Sequence, residues 1–346
     1  MTYVGPKYRY PGGFAAQTIF HTTYFVTYVE ANASGVNGAW FLAMSDDLLA
    51  TRRRGGRVKT PKFMLDQLPA AASVLLLNIG SSMEPLLPPE GNSTVVSIAF
   101  EPIVASQIQP HPGLYVVPAA VAAAPGLAMM GVYNTDGVSS SLTRPAVNAH
   151  WSAESLTKPA KVVPVLSMRQ VLQSIPSQLL VWFLKTDMQN HDFAAVASAG
   201  DLLTRVPYVM TEVNVGGLFS YEGTRNDYCL DWLPHMLALG YRPHKLTGHF
   251  HAFTWDVAVK KANRYCASST RRASAKKSQQ NRRRAGEHER AEEDAYWVLN
   301  GTTVPPPCYS WSYHSGGDQS NDAHWCAEKV PRRVAPSRGL LARWFG

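Results

Sequence analysis

The stretch Val74-Leu75-Leu76-Leu77-Asn78-Ile79-Gly80 decides the fold class. It is a short apolar run that ends at a glycine, as expected of a strand that is buried on both faces. Similar runs follow at 95–101, 114–118, 161–165, 179–185, 207–213 and 295–299, and residues 193–203 and 227–239 have the apolar spacing of helices. Strands that alternate with helices predict an α/β protein with a mostly parallel sheet and helices on both faces.

Ligands of such sheets bind beyond the carboxyl ends of the strands. The residues just past those predicted ends are Gly80, Glu101, Asp187 and Glu212. A glycine lets the backbone approach a ligand closely, and both oxygens of a carboxylate can accept hydrogen bonds from ribose hydroxyls. The alternatives are that Gly80 merely ends its strand and that the acids are helix caps or surface residues.

The loop after the first strand bears on the type of cofactor. It reads Gly80-Ser81-Ser82-Met83-Glu84-Pro85, so it lacks the glycines that cradle a pyrophosphate and has an acid in their place. The sequence has no P-loop motif either. These features favour a nucleoside cofactor without phosphates, S-adenosylmethionine, over NAD or FAD.

Several segments resemble the motifs of one family, the FkbM-type methyltransferases. Residues 185–192, Lys-Thr-Asp-Met-Gln-Asn-His-Asp, resemble its K-x-D-x-(Q/E)-G-x-(D/E) signature. The second-strand motif, which ends in Phe100-Glu101-Pro102, is the other specific match. Residues 74–80, 208–213, and Asn134 with 139–142 are similar to further family motifs, so the resemblance extends from about Leu65 to Leu299.

The resemblance implies a Rossmann-like class I methyltransferase fold with seven strands in the order 3-2-1-4-5-7-6, the seventh antiparallel. It also implies that S-adenosylmethionine lies over the first two strands, with its methionine end near Gly80 and its ribose at Glu101. The cofactor-binding residues expected on this basis are Asn78, Gly80, Ser81, Glu101, Pro102 and Ser140.

The activity that the resemblance implies is O-methylation of a hydroxyl on a small molecule or glycan. Asp187 would then orient the acceptor or act as its general base, and His191 is the alternative base. For His191 we prefer the interpretation of a first-turn helix residue that faces water. Gln189 and Glu212 are candidate substrate contacts, although each is equally suited to be a cap or loop residue.

Three departures from the family pattern leave a second function open. Asn78 replaces an aspartate, Met83-Glu84-Pro85 replaces the end of the first loop, and Asn190 replaces a glycine. Asparagine tolerates a positive φ better than other non-glycine residues, so we expect the third change to be structurally mild. The first two motivate the alternative of a non-catalytic module that keeps the fold for binding or assembly.

The net charge of +8, from 33 basic and 25 acidic residues, is concentrated in one segment. Residues 260–284 hold ten basic residues and no acidic one, so the remainder has 23 basic against 25 acidic residues. We interpret 262–292 as a mobile, solvated insertion in a methyltransferase-like domain, 61–300, between an N-terminal extension, 1–60, and a tail, 301–346. A nucleic-acid contact through 260–284 is a third hypothesis, disfavoured because the stretch lacks aromatic residues after Tyr265.

A few further features of the sequence concern the cellular compartment, a membrane-spanning helix and metal binding. No apolar run has the roughly 20 residues of a membrane-spanning helix. Cys308 and Cys326 flank a polar loop and would be bridged in an oxidising compartment. Asn-x-Ser/Thr triplets at Asn32, Asn92 and Asn300 fit a secretory lumen without excluding the cytoplasm. The histidines at 244, 249 and 251 lack metal-site spacing, so we predict no metal.

Overall fold

The computed structural model describes residues 68–89, 91–133, 139–145, 160–215, 221–251, 254–279 (backbone alone from 270) and 292–304, and the backbone of five earlier strands. The strands are β1 (Thr2–Val4), β2 (Tyr8–Arg9), β3 (Ala15–His21), β4 (Tyr24–Glu30), β5 (Trp40–Ser45), β6 (Val74–Ile79), β7 (Val95–Phe100), β8 (Leu114–Val117), β9 (Ala120–Ala122), β10 (Gly126–Met130), β11 (Lys161–Ser167), β12 (Leu180–Thr186), β13 (Tyr208–Asn214), β14 (Tyr241–Leu246), β15 (Phe250–His251) and β16 (Glu292–Leu299). The α-helices are α1 (Met168–Ser174), α2 (Asp192–Ala197), α3 (Leu233–Ala238) and α4 (Trp255–Gln279). Short 3-10 helices cover Ala105–Gln107 and Gly200–Arg205, and a π-helical turn, Tyr228–Trp232, leads into α3.

The largest sheet has eight strands in the order β15-β14-β16-β13-β12-β6-β7-β8. The five strands β8, β7, β6, β12 and β13 are parallel, whereas β16 runs antiparallel to both of its neighbours. The chain is therefore α/β with a large mixed sheet. We predicted a mostly parallel sheet of seven strands; the two-residue strand β15 adds an eighth at the β14 edge.

Apolar side chains on both faces explain why the strands read as continuous apolar runs. In β6, Leu75, Leu77 and Ile79 join a core cluster on one face, while Val74 and Leu76 join a smaller cluster on the other. Each α-helix of the described chain contributes buried apolar side chains to the first cluster. The second cluster packs instead against Leu86 and Val304. The expectation of helices on both faces is thus wrong for the described residues, because a loop rather than a helix follows β6.

The run at 161–165 was expected in the main sheet and lies elsewhere. It forms β11, which pairs with β10 and β9 in a separate three-stranded sheet. Its first two residues, Lys161 and Val162, are exposed, so this strand is not buried along its length like β6. The first five strands form a further antiparallel sheet in the order β1-β3-β4-β5, with β2 on β3.

Helix α4 extends into the segment predicted as a mobile insertion. Residues 262–279 are its continuation; Ala262 is fully buried and Cys266 is disulfide-bonded to Cys229. The first turn of this segment, up to Cys266, is therefore docked on the fold rather than solvated, and the interpretation of the rest as mobile stays a prediction. Residues 280–291, Asn134, Cys308 and Cys326 lie outside the described chain, and the domain limits stay predictions.

The described helices include none that is both long and apolar enough to cross a membrane. Helix α4 has sufficient length, but lysine, arginine and serine residues recur along it.

Candidate functional site

Three neighbouring strand ends are joined at Gly80. The residue has a φ of +71°, and a Cβ atom at this position would overlap the main-chain oxygen of Asp187. Its N–H donates to the carbonyl oxygen of Phe100 over 2.9 Å, and the N–H of Asp187 donates to that of Ile79 over 2.9 Å. The sequence-predicted residues Gly80 and Asp187 are therefore adjacent at the carboxyl edge of the sheet.

Glu101 is held by main-chain donors from two loops. Its Oε2 accepts from the N–H of Ser82 over 2.8 Å, and its Oε1 accepts from those of Ile103 and Val104 over 2.8 and 3.1 Å. Burial raises the pKa of this carboxyl, and the three donors partly offset that rise. A carboxylate has about four lone-pair directions, of which three are used. One remains, so this conformation accommodates one ribose hydroxyl rather than the two that we expected.

Two other predicted cofactor residues have unused hydrogen-bonding atoms. Asn78 is fully buried, and its Oδ1 accepts from the N–H of Leu86 over 2.8 Å, which fixes loop 81–89. Its Nδ2, and the Oγ of buried Ser140, are enclosed without a hydrogen-bond partner among the described residues. Ser81 is buried and Pro102 half-buried beside Glu101. The residues predicted for the cofactor therefore lie at or just past the ends of β6 and β7, except Ser140.

Asp187 presents its carboxylate at the end of β12. The Nζ of Lys185 lies 3.7 Å from its Oδ2, and the Nε2 of Gln189 donates to its Oδ1 over 3.1 Å. The side chain stays 36% exposed, so a ligand can reach it. Gln189 is fixed in turn, because its Oε1 accepts from the hydroxyl of Tyr221 over 2.6 Å and its carbonyl from Ser141 Oγ over 2.9 Å.

Tyr221 is a residue of this site that sequence reasoning missed. Its side chain is 1% exposed, and its hydroxyl also donates to the carbonyl of Ser139. Burial and nearby carboxylates raise its pKa far above the usual value, so the hydroxyl remains protonated. Nothing in the sequence around 221 marks it, because its partners are distant along the chain.

His191 is half-buried, although we expected it to face water. It precedes α2, and its Nε2 is enclosed without a partner in the described chain. Burial lowers its pKa, so the ring is neutral at neutral pH. The Nε2 atom exposes almost no surface, so Asp187 is the more accessible of the two candidate bases in this conformation.

The turn between β12 and α2 has the left-handed backbone that we anticipated at Asn190. Asn190 has a φ of +74° and Gln189 one of +52°. The Oδ1 of Asn190 also accepts from the Nδ2 of Asn214 over 2.6 Å. The asparagine therefore fills the conformational role of a glycine and adds a contact to β13.

Glu212 lies in a group of carboxyls at the same edge. It is directly opposite Asp294 in the antiparallel pairing of β13 and β16. Burial, with Glu292 and Asp187 nearby, raises its pKa well above the usual value. Burial also raises the pKa of Asp294 to about 6 and that of Asp192 to about 7. Asp192 is fully buried, and its carboxylate accepts from the N–H of Met188.

Among the described residues, no group of three or more His, Cys, Asp or Glu side chains is placed to hold a metal ion. His244 and His251 do contact each other, with their Nε2 atoms 3.1 Å apart.

No family model, curated protein or solved structure matches the chain significantly. The likeness to FkbM-type methyltransferases therefore rests on the motif residues quoted above.

Proposed function

We propose that this protein is an S-adenosylmethionine-dependent methyltransferase that acts on a hydroxyl of a small molecule or glycan. The observation that carries the proposal is the strand order. When the strands of the largest sheet other than β15 are numbered along the chain from β6, their spatial order is 3-2-1-4-5-7-6, and the seventh strand is antiparallel. This is the order that the family resemblance implies.

The residues at the strand ends partly fit the cofactor. The buried Nδ2 of Asn78 is a hydrogen-bond donor without an acceptor among the described residues, which suits a ligand carboxylate beside β6. Glu101 retains acceptor capacity for one hydroxyl. Asn78 is near the end of β6 and Glu101 just past the end of the adjacent strand β7, and these positions suit a nucleoside that lies across both strands.

Asp187 has the position for a role in the reaction. When bound, S-adenosylmethionine would supply the methyl group for the acceptor oxygen, and the acceptor hydroxyl would have to lose its proton. Asp187 is exposed, lies beside Gly80, and is oriented by Lys185 and Gln189. It can accept the proton, or orient the hydroxyl toward the methyl group.

Two observations favour a second candidate, a non-catalytic module with the same fold. Residues 81–89 form a turn and irregular chain where a helix usually follows the first strand of an α/β sheet. Three main-chain donors also occupy Glu101, which gives this acid a structural role that needs no ligand.

Calorimetric titration with S-adenosylmethionine and S-adenosylhomocysteine separates the two candidates. We expect micromolar binding that is weakened in Glu101→Ala, with Glu222→Ala as a matched variant at an exposed site. Absence of binding to a chain shown to be folded would reject the enzyme and favour the module.

A further inference from the structure

Four carboxyl side chains share one face of the sheet at its carboxyl edge. Glu212 is opposite Asp294, and Asn214 is opposite Glu292, in the pairing of β13 with β16. Residues two apart on a strand point to the same side, and directly opposed residues do so as well. Asp187 continues the row on β12, since the preceding Thr186 is opposite Thr211. We call this group, Asp187, Glu212, Glu292 and Asp294, the carboxyl face.

Two acceptors on this face lack donors. The Oε2 of Glu212 and the Oδ1 of Asn214 are enclosed and accept no hydrogen bond from the described residues. Asn214 is fully buried. Buried acceptors in folded proteins are nearly always paired, so these two atoms indicate a ligand that brings hydrogen-bond donors.

The charges of the face point to the same kind of ligand. Its four carboxyls have two lysines near them, Lys185 and Lys245, which interact with Asp294. Lys185 also pairs with Asp187, while Lys245 lies over the ring of Tyr296 at 5.2 Å. The Tyr221 hydroxyl donates elsewhere, to Ser139 and Gln189. Burial, and then the neighbouring carboxyls, raise the pKa of Glu212, so a positively charged group bound beside it would favour its ionised form.

We infer that the carboxyl face binds a protonated amino group of the methyl acceptor, so that the substrate class is an amino alcohol such as an amino sugar. An ammonium group has three N–H donors, no acceptor and one positive charge. A metal ion fits less well, because the carboxyls of the described chain do not converge as metal ligands. The inference rests on the proposed function for the identity of the ligand as an acceptor.

The test compares two ligands that differ in the amine alone: the disaccharide of glucosamine and its N-acetylated form. Each is titrated calorimetrically into the unaltered protein at neutral pH. We expect the amine to bind at least about tenfold more tightly, since hydrogen bonds between charged groups are roughly twice as strong as neutral ones. Equal affinities, or no binding of either sugar, would overturn the inference.

A variant pair locates the preference. Glu212→Gln should reduce it about tenfold, whereas Glu222→Gln, the same change at an exposed site, should leave it intact. Retention of the full preference in Glu212→Gln would contradict the assignment to this face. Because these titrations contain no cofactor, their result is independent of the separate titration with S-adenosylhomocysteine, which reports on the proposed function.

Discussion

A Cβ atom on Gly80 would overlap the main-chain oxygen of Asp187, so β6 and β12 can end side by side only with a glycine at 80. Gly80 also has a φ of +71°, a value that residues with a side chain rarely adopt. We predict that Gly80→Ala lowers the free energy of unfolding by at least about 3 kcal/mol, since backbone strain and overlap add. Urea denaturation measures the loss.

Gly91 provides a matched control for that variant. Its φ is +73°, but a Cβ atom there would meet no atom of the described residues within 4 Å. Gly91→Ala should therefore cost about 1 kcal/mol, from backbone strain alone. Similar losses in both variants would show that the strand ends can separate, and that Asp187 is not held against Gly80.

Glu101 joins the loop after β6 to the loop after β7, and this role predicts a loss of stability on amide substitution. In Glu101→Gln the amide nitrogen would face either the N–H of Ser82 or those of Ile103 and Val104. One or two buried donors then lack an acceptor, at a cost of about 1–3 kcal/mol. Urea denaturation of Glu101→Gln beside Glu222→Gln checks this, because the exposed control should change by less than about 0.5 kcal/mol. A stable Glu101→Gln would favour a ligand-binding role instead.

The buried carboxyls predict that stability falls as the pH rises from about 4 to about 7. Burial raises the folded-state pKa of Asp192 to about 7 and that of Asp294 to about 6, above the ordinary value of 3.8. The folded state therefore holds protons that the unfolded state has released. Their contribution is complete below the ordinary value and is lost as the pH rises through 6 and 7.

Unfolding measured between about pH 5 and pH 8 tests this sign. Asp192→Asn should flatten the dependence, since an amide cannot titrate yet can still accept from the N–H of Met188. Asp201→Asn, at an exposed side chain, should leave it unchanged. Stability that increases with pH over this window would show that these carboxyls are ionised in the folded protein.

Sequence could predict the parts of this structure that depend on local burial. The stretch 74–79 is apolar at almost every position because both faces of β6 are covered, and Gly80 and Glu101 follow from where such strands end. The positive φ at position 190 could also be anticipated, because asparagine tolerates a positive φ better than other non-glycine residues. These features need no information about distant residues.

Other features depend on contacts that sequence patterns do not encode. The hydroxyl of Tyr221 donates to Gln189, and Cys229 forms a disulfide with Cys266 of α4; both pairs are far apart in the sequence. The polar composition of 262–279 gave no sign of a helix, because among the side chains described there only Ala262 is buried and only Tyr265 and Cys266 pack partly against the core. The run at 161–165 resembled the central strands, although its partners are in another sheet.

The disulfide between Cys229 and Cys266 should make a measurable contribution to the free energy of unfolding. It closes a loop with a sequence separation of 37 residues, for which the chain-entropy model gives about 3–4 kcal/mol. We expect a reducing agent to lower the unfolding midpoint of the unaltered protein, and Cys229→Ser/Cys266→Ser to show the lower midpoint already. If the reducing agent lowers the midpoint of the double variant equally, the effect belongs to other cysteines.

The exposed Asp187 and the enclosed His191 predict different kinetic effects, provided that the chain methylates an amino sugar or another hydroxyl acceptor. Asp187 can touch an acceptor, whereas His191 Nε2 exposes almost no surface. Asp187→Asn should lower kcat about 100-fold or more while KM for the acceptor changes little, as for a base that acts mainly in the transition state. His191→Asn should lower kcat less than about tenfold, through the position of α2 alone. Rates of S-adenosylhomocysteine formation measure both, and a larger loss in His191→Asn would assign the proton transfer to the histidine and require the turn at 188–191 to open when substrate binds.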